Sequence, residues 1–423
     1  MSRPADHALR RPLSDLMHER TIPIFTAPVV LRSWVYLVPD TDRAAESQWI
    51  ASLAQDDDFD RGRHAEITGT GGSIWERHGE FSTYLAFSTS GKTQVLLRNN
   101  FGFCSLRTED FHWLHGAPGS VFRSVEIVVL PHAPKPQALQ AHIDLTTAVC
   151  CDVFDGHARI WSDFRMHEGG AGRIYVQDKG LRNDELSRLL QSLIEIGHYR
   201  KLALLGFPVA RDLMGWLKDA ETRLNAITSD MAGQAASQQQ ILDRLMALSA
   251  EVEHRVTSVR YRQGATEAYA QLVHDRLAGL REARVEGFST MQTFIERRLQ
   301  PAMRTCEAAS KRLDDLSQRL GRVSDLLRAR ISISLEMQNQ ELLKSMDLRS
   351  KLQMKLSHLV EGLSVFAVSY YVFNLVKYVV DPWFAGHEDL AHKLYAVIIV
   401  AILGLAWLFI THRKRSITGE AGA

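Results

Sequence analysis

The chain is poor in cysteine, and its few cysteines form no recognisable ligand set. Four occur in 423 residues: Cys104, Cys150, Cys151 and Cys306. No two of them have the spacing of a metal-ligand pair or of a CxxC redox motif. Adjacent cysteines seldom bridge each other, so Cys150 and Cys151 are predicted to be free thiols. Free thiols are typical of proteins in a reducing compartment.

The chain also lacks an excess of charge of either sign. Lysine and arginine number 50 against 49 aspartate and glutamate, which gives a net charge of +1. No global basic field therefore favours a nucleic-acid partner. A glycine-rich phosphate loop and a Walker motif are missing, and no Ser-His-Asp or Cys-His arrangement can be argued. We do not expect the chain to be an enzyme.

The first residues contain no apolar signal region, so the front of the chain is not expected to be exported. Residues 1–208 predict a cytosolic α/β domain with an extended, proline-containing arm over residues 1–30. Alternating and β-branched runs predict strands at 30–38, 73–87, 125–130, 159–165 and 172–177. Helices are predicted over 43–54 and from Asn183 onward, where an apolar 3-4 pattern begins.

Proline is scarce after Pro208, where only Pro301 and Pro382 remain. Residues 209–358 predict a long-helix stalk with breaks near 263–264 and 285–287 and a third helix from Ser289. If that helix is continuous to Tyr378, ~90 residues at ~1.5 Å each make a rod of roughly 135 Å. Apolar residues at 3-4 spacing form a seam: Leu313, Leu316, Leu320, Val323 and Leu327. Such a seam favours either packing inside the chain or self-association as a coiled coil.

Long hydrophobic runs occur only near the end. Residues 362–376 and 394–411 are uncharged, and with their flanks each approaches the ~20 apolar residues that a membrane-spanning helix needs. We expect transmembrane helices at 359–380 and 394–412, an external loop at 381–393 and a basic cytoplasmic tail at 413–423. The cations that flank the two spans are Arg349, Lys351, Lys355, Arg413, Lys414 and Arg415. By the positive-inside rule they put both termini in the cytoplasm.

The resulting fold class is an α+β/α membrane protein with an N-terminal α/β cytosolic domain, a helical coiled-coil stalk and two C-terminal spans. This layout resembles the CorA-type magnesium channels. The resemblance implies a homo-oligomer, a pentamer by analogy. The Gly-Met-Asn motif that ends the first span of those channels is missing, because residues 376–382 read VKYVVDP. That departure argues against magnesium selectivity.

Four stretches give a second resemblance: WERHGEF at 75–81, WSDFR at 161–165, RRLQPAMRTC at 297–306 and VEGLSVFAVSYY at 360–371. They are similar to a bacterial family of uncharacterised membrane-anchored proteins. This resemblance implies a two-span protein of the bacterial inner membrane and supplies no activity.

Small and polar residues share one face of the first span at 3-4 spacing: Ser364, Ala367, Tyr371, Asn374 and Tyr378. Lipid cannot satisfy hydrogen-bonding groups, so such a stripe faces either a water-filled pore or a dry interface between helices. With two spans per chain, a pore would require a homo-oligomer. In an oligomer, Glu388 and Asp389 of the loop would form an external acidic ring that attracts cations, or they would simply be solvated.

Glu76, His78 and Glu80 alternate along a predicted strand, so their side chains would share one face. Two carboxylates and an imidazole can bind a divalent cation, which is the one cofactor that the sequence offers. The alternative is a polar solvent face or a hydrogen-bonded network within the sheet.

Two functions follow from these patterns. The first is a CorA-like homo-oligomer in membrane lipid that conducts or senses cations, with the stalk transmitting a cytosolic signal. The second is a non-conducting, membrane-anchored scaffold whose cytosolic domain binds a protein partner.

Overall fold

The computed structural model describes residues 7, 9–10, 13–14, 22–53, 63–68, 71–89, 114, 116–233, 237–380 and 388–419. The chain divides into two compact units, Met1–Ser324 (unit 1) and Asp325–Ala423 (unit 2). Cys104 and most of the predicted N-terminal arm lie outside the described residues, as do residues 381–387 of the predicted external loop.

Unit 1 is built on a mixed sheet. The described strands are β1 Val29–Leu37, β2 Arg63–Thr68, β3 Gly71–Arg77, β4 Phe81–Ser88, β5 Ser120–Leu130, β6 Val149–Val153, β7 Ala158–Ser162, β8 Gly172–Asp178 and β9 Ala283–Arg284. They pair in the order β2-β3-β4-β1-β5-β8-β7-β6-β9. Only β5 and β8 pair in parallel; the other pairs are antiparallel.

Both faces of the sheet are covered by hydrophobic clusters. A strand can contribute to both, because successive side chains point to opposite sides. Val125 and Ile127 of β5 join one hydrophobic cluster, whereas Val128 joins the other. The adjacent cysteines of β6 divide in the same way, with Cys151 in the first cluster and Cys150 in the second. Both are buried free thiols, and burial raises the pKa of the Cys150 thiol to about 11.

Short helices cover one face and long helices the other. Helix α1 (Arg43–Leu53) and helix α2 (Pro136–Gln140) add Ile50 and Leu139 to the second cluster. Helix α3 (Asn183–Ala203) adds its leucine row to the first cluster, with Leu189 and Leu190 fully buried. The expected leucine face of α3 is therefore its sheet-facing side.

The long helices after α3 are α4 Gly206–Ala232, α5 Gln238–Gly279 and α6 Met291–Val380. Ser237 caps α5, and its side chain accepts a hydrogen bond from the Gln240 backbone. Helices α4 and α5 are therefore separate, with α4 ending at Ala232 and α5 beginning at Gln238. The predicted break at 263–264 is wrong, since α5 runs through Gly264.

The first part of α6 packs along α4 within unit 1. Arg312 donates two hydrogen bonds to Glu221, and Arg319 donates one to Asn225. Leu313, Leu316 and Leu320 are buried in the chain, as expected for intramolecular packing of the seam. The helices up to Ser324 thus share a compact unit with the sheet, where the sequence predicted a separate stalk beginning at residue 209.

Unit 2 contains the rest of α6 and helix α7 (Glu388–Gly419). Helix α6 is continuous to Val380 although Pro301 lies inside it, beyond the first turn, and can donate no backbone hydrogen bond. Helix α7 begins before the predicted residue 394 and extends past residue 412 into the predicted tail. Helix formers such as Glu388, Leu390 and Ala391 explain the earlier start.

Candidate functional site

The structure separates Glu80 from the other two residues of the predicted metal row. Strand β3 ends at Arg77, and the chain reverses at Gly79 before β4 begins at Phe81. Glu80 therefore lies in the turn and points to α5, where Arg262 forms a two-pronged ion pair with its carboxylate and the Tyr269 hydroxyl donates at 2.9 Å.

Glu76 and His78 line a small cavity of about 100 Å³. The His78 ring stacks on Phe81, with centroids 4.4 Å apart, and its Nε2 lies 3.3 Å from the Thr83 hydroxyl. Across the cavity stands His198 of α3, which is buried beside Ser33. The described residues contain no group of three His, Cys, Asp or Glu that could hold a metal ion. The predicted metal row is therefore not assembled.

His198 was not singled out from the sequence, because it occupies one buried position within a long amphipathic helix. Its Nε2 lies 3.3 Å from the Ser33 hydroxyl. Burial, with the neighbouring Arg123 guanidinium and His78, holds the pKa of His198 well below its ordinary value. His198 is consequently neutral at physiological pH.

In unit 2, the apolar part of α6 is uncovered. Within the described residues, only the helix Met291–Val380 has an 18-residue window long and apolar enough to cross a membrane, by length and composition. No residue of that window is buried in the chain, and the apolar part of α7 at 393–408 is a shorter run.

Helices α6 and α7 touch along one narrow face of each. The rings of Phe373 and Tyr395 meet edge to face, with centroids 6.3 Å apart, and the Lys377 ammonium lies 6.0 Å from the Tyr395 ring. The half-buried residues of α6 that recur on this side are Val365, Ser369, Phe373, Val376 and Val380. These residues share the side of α6 on which Phe373 meets Tyr395.

The predicted stripe lies on the opposite side of α6. At ~100° per residue, its members are centred roughly half a turn from the face that α7 covers. Asn374 is half-buried, and the other four are exposed: Ser364, Ala367, Tyr371 and Tyr378. Four of the five stripe residues are therefore exposed in the described part of the chain.

Glu388 and Asp389, the predicted acidic ring, occupy the first turn of α7. Their side chains lie outside what the structure describes, so the ring stays a prediction. Acidic residues in a first helical turn also interact favourably with the helix dipole, which explains this position without any ion.

Comparison with known proteins gives one match. A family model described as "Protein of unknown function (DUF3422)" matches residues 5–417, which is nearly the whole chain. No curated protein and no solved structure matches the chain. A relationship to the CorA-type channels is accordingly not shown.

Proposed function

The chain belongs to the DUF3422 family, and we propose that it is a membrane-anchored protein that self-associates through its first span. In this proposal α6 and α7 cross the bacterial inner membrane as a hairpin with both termini in the cytoplasm. The sheet-containing unit 1 is tethered on the cytoplasmic side, where it is accessible to a soluble protein partner.

The observation that carries the proposal is the uncovered apolar window of α6. None of it is buried in the chain, and Leu363, Phe366 and Leu375 are each at least 70% exposed. A contiguous apolar surface of this kind is rarely left in water, because burial stabilises by about 25 cal/mol per Å². A helix of this length and composition is covered best by lipid.

The open stripe supports self-association. Small residues let two helices approach closely, and Asn and Tyr groups form hydrogen bonds across helix contacts in lipid. Since α7 covers the other face of α6, the partner of the stripe has to come from another molecule. A second copy is the simplest partner, because a symmetric oligomer presents the same stripe on every subunit.

A second candidate function is cation conduction through such an oligomer. The observation that favours it is that the stripe opposite the Phe373–Tyr395 contact contains the exposed Tyr371 and the half-buried Asn374. Several copies around an axis would line a path with these groups. The missing Gly-Met-Asn motif leaves the ion, if any is conducted, different from the magnesium of the CorA-type channels.

Membrane flotation tests the anchoring proposal. The full-length chain is expressed in bacteria, membranes are washed with alkaline carbonate, and the washed material is centrifuged upward through a density gradient. We expect the chain to float with the lipid. A chain that is released by carbonate, or that sediments as aggregate, would overturn the proposal.

A further inference from the structure

A second, larger cavity of unit 1 is lined by cations. It has a volume of about 450 Å³ and lies between β5, β8, the end of α3 and the loop that leads into β8. None of its described lining residues is acidic. Five are basic: Arg123, Arg165, Arg173, Arg200 and Lys201. We call it the basic cavity.

Three of the five cations already have partners. Arg165 pairs with the Asp144 carboxylate at 3.2 Å, Arg173 donates to the His142 carbonyl at 3.2 Å, and the Lys201 ammonium donates to the Phe122 carbonyl at 2.7 Å. These contacts hold the side chains around the rim of the cavity.

Arg123 and Arg200 differ from the other three. Arg123 Nη1 is buried and has no hydrogen-bond partner within the described part of the chain. The Arg200 guanidinium lies over the Phe164 ring, 4.9 Å from its centroid, and no described carboxylate pairs with it. A buried guanidinium nitrogen without a counter-charge destabilises a fold, so Arg123, with the half-buried Arg200 beside it, calls for an anion.

The cations also act on one another. Burial and the Arg200 charge lower the pKa of Arg123 to about 9, while burial and Arg298 lower that of Arg200 to about 10. Burial, Arg123 and Arg200 lower the pKa of Lys201. Arg123 and Arg200 stay protonated at neutral pH, and a bound anion would relieve the repulsion among the three groups.

The fold keeps these two arginines in place. A Cβ at Gly197 would collide with Arg123 Nη2, so glycine is what lets the guanidinium lie against α3. Phe164 adopts a φ of 53°, a region that costs energy for a bulky residue. Its ring thereby stacks on Phe294, with centroids 4.7 Å apart, beneath Arg200.

We propose that the basic cavity binds a phosphate group through Arg123, Arg200 and Lys201. Arginine forks match the paired oxygens of phosphate, and phosphate is the anion with enough charge to pair with several cations at once. The volume exceeds that of inorganic phosphate and suits a small molecule or a headgroup that carries the phosphate. Both sources offer the same terminal phosphate to the arginines.

Thermal unfolding of the detergent-purified full-length chain tests the site. Inorganic phosphate and then pyrophosphate are titrated at constant ionic strength, with chloride as the replaced anion. A ligand that binds only the folded form raises the Tm. We expect a saturable rise in the parent chain and in Arg188→Gln, which removes an exposed arginine of α3 that pairs with Asp184.

In Arg123→Gln and Arg200→Gln we expect affinity for pyrophosphate to fall by at least about tenfold, because each loses a charge-assisted bond. Lys201→Gln, at an exposed position, provides a variant whose folding is not at risk. No saturable rise in the parent would overturn the site. An equal rise in the parent, Arg123→Gln and Lys201→Gln would overturn it as well.

Two further arms distinguish the sources of the phosphate. The chain is placed in nanodiscs of phosphatidylcholine, with or without phosphatidic acid, and compared with the same discs plus soluble glycerol phosphate. A Tm rise that requires Arg123 and occurs only in discs that contain phosphatidic acid identifies a lipid headgroup as the ligand. A Tm rise that requires Arg123 and occurs when glycerol phosphate is added identifies a soluble ligand. An effect that is absent in both arms and with pyrophosphate contradicts the proposal.

Discussion

The Phe373 and Tyr395 rings meet edge to face inside unit 2, with centroids 6.3 Å apart. This contact determines which side of α6 faces the second helix of its own chain. The small and polar residues Ser364, Ala367 and Tyr371 are left on the other side, exposed. The open side is where we expect another copy to bind.

Asn374→Leu tests whether the stripe holds subunits of an oligomer together or lines a cation-conducting pore. A hydrogen bond between helices in lipid contributes about 0.6–2 kcal/mol, so its loss should weaken self-association by about 3- to 30-fold. Energy transfer between labelled copies in detergent measures the dissociation constant. Val372→Leu, outside the stripe, serves as the control and should leave it unchanged.

The same variant separates the two candidate functions. If the oligomer conducts, reconstituted vesicles of the parent show cation flux, and Asn374→Leu abolishes it while the oligomer persists. Conduction would be excluded by a parent that shows no flux and an Asn374→Leu variant that dissociates.

Orientation can be measured by labelling single cysteines in spheroplasts. We expect Ala385→Cys, in the loop between the spans, to react with an impermeant maleimide added from outside. Ala421→Cys, near the C-terminus, should react only after the membrane is opened, because the flanking cations keep both ends in the cytoplasm. Labelling in the reverse order would contradict this orientation, and the parent chain gives the background of its own cysteines.

Glu80 is occupied by Arg262 and Tyr269, so it is not available to a cation. We expect millimolar Mg²⁺ or Mn²⁺ to leave the Tm of the full-length chain unchanged. Glu80→Gln should instead lower the free energy of unfolding by ~1–3 kcal/mol, the cost of a broken charged hydrogen bond. A metal-induced rise in Tm that Glu80→Gln removes would restore the metal site.

His198 gives the unfolding free energy a defined pH dependence. Its pKa in the folded chain is well below 6.5, whereas the unfolded chain binds a proton near that pH. The contribution of His198 to the unfolding free energy is therefore fully present above about pH 6.5. It falls as the pH drops, with a limiting slope of ~1.4 kcal/mol per pH unit. His198→Gln should remove this part of the slope, whereas His254→Gln, at an exposed position of α5, should keep it.

Glu46 is fully buried, and its carboxylate is surrounded by two aromatic donors and two arginines. It accepts from Trp75 Nε1 at 3.3 Å and from the Tyr84 hydroxyl at 3.1 Å, and it pairs with Arg43 and Arg77. Glu46→Leu removes the acceptor of Trp75 and Tyr84 and the negative charge beside Arg43 and Arg77, and it should cost ~3–5 kcal/mol of unfolding free energy. Glu253→Leu, at an exposed position of α5, should change it by less than ~0.5 kcal/mol. Urea unfolding followed by tryptophan fluorescence compares the two.

The regular parts of the fold were predictable because their patterns are local. Strand β1 and helix α3 begin within one residue of the positions predicted from alternation and from the leucine row. Strand β6 was missed because Val149, Cys150 and Cys151 are all buried, and a strand covered on both faces shows no alternation. The break before Ser237 was missed, although its capping box with Gln240 is a local signal.

The sites divide in the same way. The shared helical face of the stripe residues was predictable because they repeat with the period of a helix, and the role of the stripe stays a prediction. The fate of Glu80 depended on a reversal at Gly79 and on Arg262, which lies 182 residues away in sequence. The basic cavity gathers Arg123, Arg165 and Arg200 from separate elements, and no spacing in the sequence announces that arrangement.

We propose that the side of α6 opposite the Phe373–Tyr395 contact binds a second copy in the membrane. Tyr371→Cys and Phe366→Cys form a matched pair, because both parent side chains are 72% exposed and lie more than a third of a turn apart around the helix. Each variant is treated in native membranes with a short thiol-to-thiol cross-linker, with the parent chain as background. We predict covalent dimers from Tyr371→Cys and background levels from Phe366→Cys. Equal cross-linking of both, or cross-linking at Phe366→Cys alone, would contradict the claim.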